Sequence, residues 1–206
     1  MIHVVNATNQ GEYLNEMEQV WRLRHRVFVE GKGWSELAKP DGREIDQFDT
    51  PSAIHFLLMR GREVVAYSRL LPTAGPHLLS DVFPKLCQEP LPRDHATYEW
   101  TRQAVSPEYR VRGKAPPLTY DLVAGIVEWG LSNGVSRITA QIPMSYLLRM
   151  LQLHFRARPL GLPVEIAGES IIAVAAEFDG ATLARVNQIR GDSRSILASV
   201  PAYLVA

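Results

Sequence analysis

Arg24, Phe28, Trp34, Asp46 and Asp49 bring a guanidinium, two aromatic rings and two carboxylates together early in the chain. That mixture suits a cationic small molecule carrying an aromatic base, an amine and a carboxylate. Rings stack on the base, an aspartate holds the amine or a sulfonium, and the arginine takes the carboxylate. It equally suits a structural salt-bridge network with aromatic filler, and each residue taken singly favours that plainer role. A second group is Tyr98-Glu99-Trp100-Thr101-Arg102. On a strand Glu99 and Trp100 point to opposite faces while Glu99 and Thr101 share one, and a carboxylate in the middle of a sheet strand is unusual if nothing needs it. An edge-strand Glu99 paired with Arg102, or one facing solvent, is the alternative. The third group, Arg110-Val111-Arg112-Gly113-Lys114-Ala115, fits a Gln/Arg-x-x-Gly-x-Gly/Ala pattern. Such a turn offers backbone N–H groups to a pyrophosphate at a helix N-terminus; a basic surface turn is the other reading.

The elements that must position these groups follow from periodicity. Ile2 to Val5 reads as a strand, and a helix opening at Asn9 or Gly11 carries Tyr13, Met17, Val20, Trp21, Val27 and Phe28 at helical spacing. Arg24 lies four after Val20 and four before Phe28, on the same stripe. A guanidinium there needs a carboxylate or phosphate partner. Gly31 to Ser52 is an irregular loop with Ile45 and Phe48 as apolar anchors. Ala53 to Met59 and Val64 to Leu71 form a hairpin, Leu78 to Leu86 a short helix, and Ala96 to Ser106 a strand. A helix over about Leu118 to Asn133 is opened by Pro116-Pro117 and closed by Gly134. Ser136 to Ile142 is a strand, Met144 to Phe155 a helix, Leu162–Ile166 with Ser170–Phe178 a hairpin around Gly168, and Gly180 to Ile189 a last helix before a tail over 191–206. This order implies an α/β fold, one central mixed sheet with helices on both faces, in a single domain over 1–206.

The chain has 206 residues, a length typical of one domain, and its 22 basic and 22 acidic residues cancel. That balance argues against nucleic acid, which calls for a basic excess. Cys87 is the only cysteine, so no internal disulfide and no thiolate zinc site is available, and the expected compartment is the reducing cytoplasm. The six histidines show no ligand spacing, and no metal is expected. No secretory leader opens the sequence and no apolar run has the length of a membrane span.

Strand, basic glycine turn and helix, in that order around Arg110 to Ala115, resemble the acyl-CoA cradle of the N-acetyltransferase superfamily. A larger pattern is Arg24-x-x-x-Phe28-x-x-x-x-x-Trp34, Glu44-x-Asp46-x-Phe48-Asp49, Ser68-Arg69-Leu70, Leu79-x-x-x-Phe83 and Glu99-x-x-Arg102. In order, spacing and residue type it resembles the LuxI-type acyl-homoserine lactone synthases. The remainder of the chain from Ser106 fits in length and element order alone. The resemblance implies an N-acetyltransferase-like fold with a twisted sheet.

It also implies an activity. Such synthases acylate the amine of S-adenosylmethionine with an acyl thioester, then close a lactone by carboxylate attack next to the sulfonium and release methylthioadenosine, a product that serves quorum sensing. Both molecules are substrates, and no cofactor is implied. Carried over, Glu99 is the base, Arg24, Phe28, Trp34, Asp46, Arg102 and Gln103 shape the S-adenosylmethionine site, and Asp49, Arg69 and Phe83 hold the loop. Oxyanion donors are expected where the strand near Arg102 to Ala104 splays from its neighbour. Arg110, Arg112, Gly113 and Lys114 would meet the phosphate or pantetheine of the thioester carrier, either acyl carrier protein or coenzyme A. Ile142, Leu147, Leu151 and Phe155 are candidates for an acyl pocket or for ordinary core. Two other readings stand beside this one, an N-acyltransferase acting on another amine and a non-catalytic acyl-CoA or nucleotide-binding module. Neither accounts for Arg24, Phe28, Trp34, Asp46 and Asp49 together.

Overall fold

The computed structural model describes residues 1–109 and 117–198, so that Arg110, Arg112, Gly113 and Lys114 lie outside the described residues, as do residues 199–206 of the tail. Its centre is one eight-stranded sheet. Strands β1 (Ile2–Val5), β2 (Ile54–Arg60), β3 (Glu63–Pro72), β4 (Thr97–Val105), β5 (Arg137–Pro143), β8 (Glu169–Glu177) and β6 (Arg156–Pro159) lie side by side in that order, and β7 (Val164–Ile166) pairs with β8. Neighbours are antiparallel except β4 and β5, which run parallel.

The period-two pattern of the strands divides the core between two faces. Phe56, Leu58, Ile138, Ala140, Ile172, Val174 and Ala176 meet apolar residues of α3 (Pro117–Ser132) and α5 (Gly180–Arg190), with Leu147 and Met150 of α4 (Met144–Gln152) at the border. On the opposite face Val5, Leu57, Tyr67 and Ala104 pack on Met17, Val20 and Leu23 of α1 (Leu14–Arg24). Farther along that face Ala173 and Ala175 pack on Leu79 of the four-residue α2 (Leu78–Asp81). Gly130 on α3 lets Phe178 in, since a Cβ there would stand 2.6 Å from the ring. The sequence-based expectation of a mixed sheet with helices on both faces is met.

Several boundaries differ for local reasons. The long N-terminal helix is a short 3₁₀ turn at Gln10–Glu12, then α1, then a π-helical turn over His25–Glu30 in which the Gly31 N–H reaches the Arg26 carbonyl at 3.0 Å. The wide turn buries Val27 and Phe28 together. The helix over Leu78–Leu86 stops at Asp81 and resumes as a 3₁₀ turn at Pro84–Leu86, because Pro84 has no N–H to continue it. The helix after β5 ends at Gln152, and His154 takes φ +64° before β6, a strand the sequence pattern did not reveal. Of the two loop anchors Phe48 is buried against Ala53, Leu71 and Leu78, whereas Ile45 is only half-buried. The described start of the tail runs beside β1, with hydrogen bonds of 2.8 Å from Ile2 N–H to Ile196 and from Ala198 N–H to Ile2.

Candidate active site

The site begins where the sheet opens. Strands β4 and β5 pair only from Thr97 to Glu99 with Arg137 to Thr139. Past Glu99, β4 stays with β3 and β5 stays with β8, leaving a wedge between them. On the other edge of β4, Arg69 faces Thr101 and Tyr67 faces Ala104, so β4 carries one extra residue there. This is a β-bulge, and Arg102 within it takes φ +52°, an unfavourable value for a residue with a Cβ. The bulge carries the Arg102 guanidinium to the α1 side of the sheet, over the 31–53 loop.

Three arginines and three carboxylates interlock there. Arg24 is 0% exposed; its Nε donates to Glu44 at 2.6 Å and its Nη1 to Asp49 at 2.8 Å. Arg69 holds Asp46 with both terminal nitrogens at 2.7 and 2.9 Å and also donates to Asp49 at 2.6 Å and to Thr101 Oγ1 at 3.1 Å. Arg102 reaches Asp46 at 2.8 Å and Glu44 at 3.2 Å. Asp49 also accepts the Asp46 N–H at 2.9 Å, which ties off the loop. The formal charges cancel, as a buried cluster requires. Burial by itself would raise Glu44, Asp46 and Asp49, but the guanidiniums outweigh it and hold all three below the usual carboxylate range. Beneath the cluster His55 Nδ1 lies 2.7 Å from the Tyr67 hydroxyl. Burial lowers His55 to about 4 and raises Tyr67, so both are neutral and leave the charge balance undisturbed.

Phe28 and Trp34 form the aromatic wall. Their rings stack at 5.2 Å and 11°, and the Trp34 N–H binds the Phe28 carbonyl at 3.0 Å. The Arg102 guanidinium stands 5.6 Å from Phe28 and 6.0 Å from Trp34. Phe28 is buried and Trp34 half-buried, so the wall has one accessible ring.

Glu99 lies at the closed end of the wedge and is 0% exposed. One carboxyl oxygen accepts the Leu78 N–H at 2.7 Å and the other the Leu79 N–H at 2.8 Å, which are the first two N–H groups of α2. Burial pushes Glu99 up to about 7, while these two N–H groups, Arg69 and the Gln141 side chain pull the other way and leave it the higher value. A carboxyl of that kind shuttles a proton near neutrality. Neither plainer reading of Glu99 applies, because β4 is central and the carboxyl faces α2.

The sequence-based site residues thus separate by place. Glu99, Phe28, Trp34, Asp46 and Arg102 gather on one face of β4. Arg24 lies deeper, with Glu44 and Asp49 engaging it, so in this arrangement it positions the loop. Arg69 ion-pairs with Asp46 and Asp49 of the loop, and Phe83 packs between the loop core at Phe48 and the cluster at Leu79. Gln103 is exposed beyond the bulge. Ile142, Leu147 and Phe155 pack with the core on the α3 side of the sheet, where Phe155 stands 6.5 Å from Trp100. Leu151 does not join them. It is 47% exposed and lines an outer cavity of about 440 Å³ with Tyr120 and Ile189, because Leu147 and Met150 form the inward stripe of α4. Sequence reasoning missed the partner role of Glu44, the α2 N–H groups on Glu99, and Gln141. Only Glu44 had a signal: three buried arginines need three carboxylates.

The family model for autoinducer synthases matches residues 9–186. The isovaleryl-homoserine lactone synthase of Bradyrhizobium diazoefficiens is 35% identical over 184 residues, 89% of this chain and 82% of that protein. A solved CoA-dependent acyl-homoserine lactone synthase, BjaI, holding SAM and isopentyl-CoA, superposes with a TM-score of 0.90 at 34% identity, covering 96% of this chain and 92% of the other. A second CoA-dependent synthase, MesI, gives 0.88 at 31% identity over 97% of this chain and 100% of the other. The fold is N-acetyltransferase-like, in line with the sequence-based expectation.

Proposed function

The chain belongs to the autoinducer synthase family, and from that premise we propose that its acyl donor is a coenzyme A thioester and its general base Glu99. It is an acyl-homoserine lactone synthase, an acyltransferase that joins an acyl group to the amine of S-adenosylmethionine and closes the lactone. Coenzyme A is favoured over acyl carrier protein because both relatives at TM-scores near 0.9 are CoA-dependent. A neutral chain also offers no strong basic field to an acidic carrier protein.

The observation that carries the assignment of the base is a buried carboxyl poised near 7 at the point where β4 and β5 part. Glu99 takes a proton from the substrate ammonium, and the freed lone pair attacks the thioester carbonyl. Backbone N–H groups of the splayed stretch near Arg102 to Ala104 receive the developing oxyanion. The coenzyme A thiolate leaves. Trp34, backed by Phe28, stacks on the adenine and Arg102 meets the amino-acid carboxylate, with the Arg24–Glu44–Asp49 lattice holding both walls. Lactone closure then needs little beyond the carboxylate held in line with the carbon that bears the sulfonium. In the described residues no helix is long and apolar enough to cross a membrane.

The test is purified protein with S-adenosylmethionine and a panel of acyl-CoA and acyl carrier protein donors, read by methylthioadenosine release. Release with an acyl-CoA at a kcat/KM well above that with the matching acyl carrier protein is expected. The reverse order would overturn the donor assignment, and acylation without methylthioadenosine would point to an N-acyltransferase.

A further inference from the structure

Buried polar atoms without a partner collect around Glu99. His77 Nε2 at the head of α2, Thr97 Oγ1 two residues before Glu99 on β4, and Thr139 Oγ1 and Gln141 Oε1 on β5 find no hydrogen-bond partner among the described residues. Such atoms are uncommon in folded proteins and each asks for an explanation. Gln141 is the informative one. Thr139 is the last β5 residue paired with β4, opposite Glu99, so Gln141 is the next side chain on that face, just inside the wedge. Its side chain is near enough to the Glu99 carboxyl to favour the ionised form, and its carbonyl oxygen is buried with no donor among the described residues. Across the wedge on the same face stand Thr101 and Arg102, the start of the S-adenosylmethionine wall.

We infer that Gln141 orients the nucleophile: its amide N–H holds the Glu99 carboxyl while its carbonyl oxygen accepts a second N–H of the substrate amine. This rests on the synthase reading above. An ammonium that gives one proton to Glu99 keeps two N–H bonds and a lone pair. Fixing one of those bonds on Gln141 limits rotation about the carbon–nitrogen bond and so aims the lone pair at the thioester carbon. The first proton ends on Glu99, the lone pair becomes the amide bond as the carbon–sulfur bond breaks, and the nitrogen's second proton leaves with the thiolate as the free thiol; Gln141 itself is unchanged. An apolar side chain of the same length would fit the fold at least as well, since it carries no unsatisfied acceptor. The fold therefore keeps a residue that its stability does not require.

The test is Gln141→Met beside the wild-type enzyme, with methylthioadenosine release and thermal unfolding measured on both. The expected result is a kcat lowered about tenfold or more, the loss of one orienting hydrogen bond. KM for S-adenosylmethionine should stay within about twofold, because stacking and Arg102 carry binding. The unfolding temperature should not fall. The acid limb of the pH profile should move upward, because Glu99 loses a donor. The other titratable groups facing Glu99, namely Arg69 on β3, His77 and Cys87, are the same in both proteins. An unchanged kcat would overturn the inference. So would a lower kcat that comes with a lower unfolding temperature and an unmoved acid limb, which is the mark of a packing role. If the wild-type enzyme releases no methylthioadenosine with any donor, the synthase reading fails first and this inference with it.

Discussion

Protonating Glu99 should switch the enzyme off within the neutral range. Both carboxyl oxygens already accept backbone N–H groups, which favours the ionised form, yet burial dominates and brings the group up to about 7. A group titrating there is about nine-tenths ionised at pH 8, about one-tenth at pH 6 and about one-hundredth at pH 5. The kcat/KM for S-adenosylmethionine, followed as methylthioadenosine release, should therefore drop about tenfold from pH 8 to pH 6 on account of the enzyme group. The α-amino group of the free substrate titrates near 7.7–8.0, and since the base works on the ammonium form it should add an alkaline limb and give a narrow bell. Glu99→Gln should lose the acid limb and at least about tenfold in turnover at the optimum. Its amide has one oxygen for two N–H donors, so one of Leu78 or Leu79 is left unsatisfied at a cost of about 1–3 kcal/mol, and unfolding must be measured alongside. A wild-type acid limb at an ordinary carboxylate position near 4.5, or the same limb surviving in Glu99→Gln, would refute the reasoning.

The other expectations concern the lattice and the wall. Asp49→Asn removes the shared acceptor of Arg24 and Arg69 and leaves an uncompensated buried charge, which costs about 3–5 kcal/mol. In a chain of this length that is a fall of roughly 10 °C in unfolding temperature, and a change under 2 °C or so would contradict it. Glu44, Asp46 and Asp49 all have depressed values in the folded protein, so the stability they contribute is complete above the unfolded carboxylate range and is lost as pH falls through the folded values. The gap in unfolding temperature between wild type and Asp49→Asn should accordingly narrow below about pH 4; a gap that widens there has the wrong sign. Arg102→Met should raise KM for S-adenosylmethionine about tenfold or more with a smaller change in kcat, because it loses a charge at the wall and leaves Glu99 in place. The reverse split would move Arg102 from binding to chemistry.

What could be read from sequence depended on how local its cause was. Arg24 on the Val20–Phe28 stripe announced both its burial and its need for an acidic partner, and the cluster Glu44 to Asp49 supplied it. Alternation on β4 placed Glu99 opposite Trp100 and beside Thr101. The bulge at Arg102 was not legible, since it arises from pairing with β3 and breaks the alternation that sequence reading relies on. Gln103, which the resemblance put in the S-adenosylmethionine site, is exposed. Strand β6, with Arg156 and Arg158 among its four residues, exists because β8 offers it an edge. Leu147 and Leu151 lie one helical turn apart, yet α4 ends at Gln152 and only the first keeps its place against the sheet. The capping of Glu99 by α2 joins residues twenty positions apart through tertiary packing, and no local pattern encodes it.

The most direct test of the central claim is mass spectrometry of the product formed by the purified protein from S-adenosylmethionine and a panel of acyl-CoA thioesters, short branched chains included. An acyl-homoserine lactone, recognised by its protonated homoserine lactone fragment and formed in equal amount with methylthioadenosine, is the predicted result. Acyl transfer that stops at an open-chain amide, or no product with any donor while S-adenosylmethionine still binds, would contradict it.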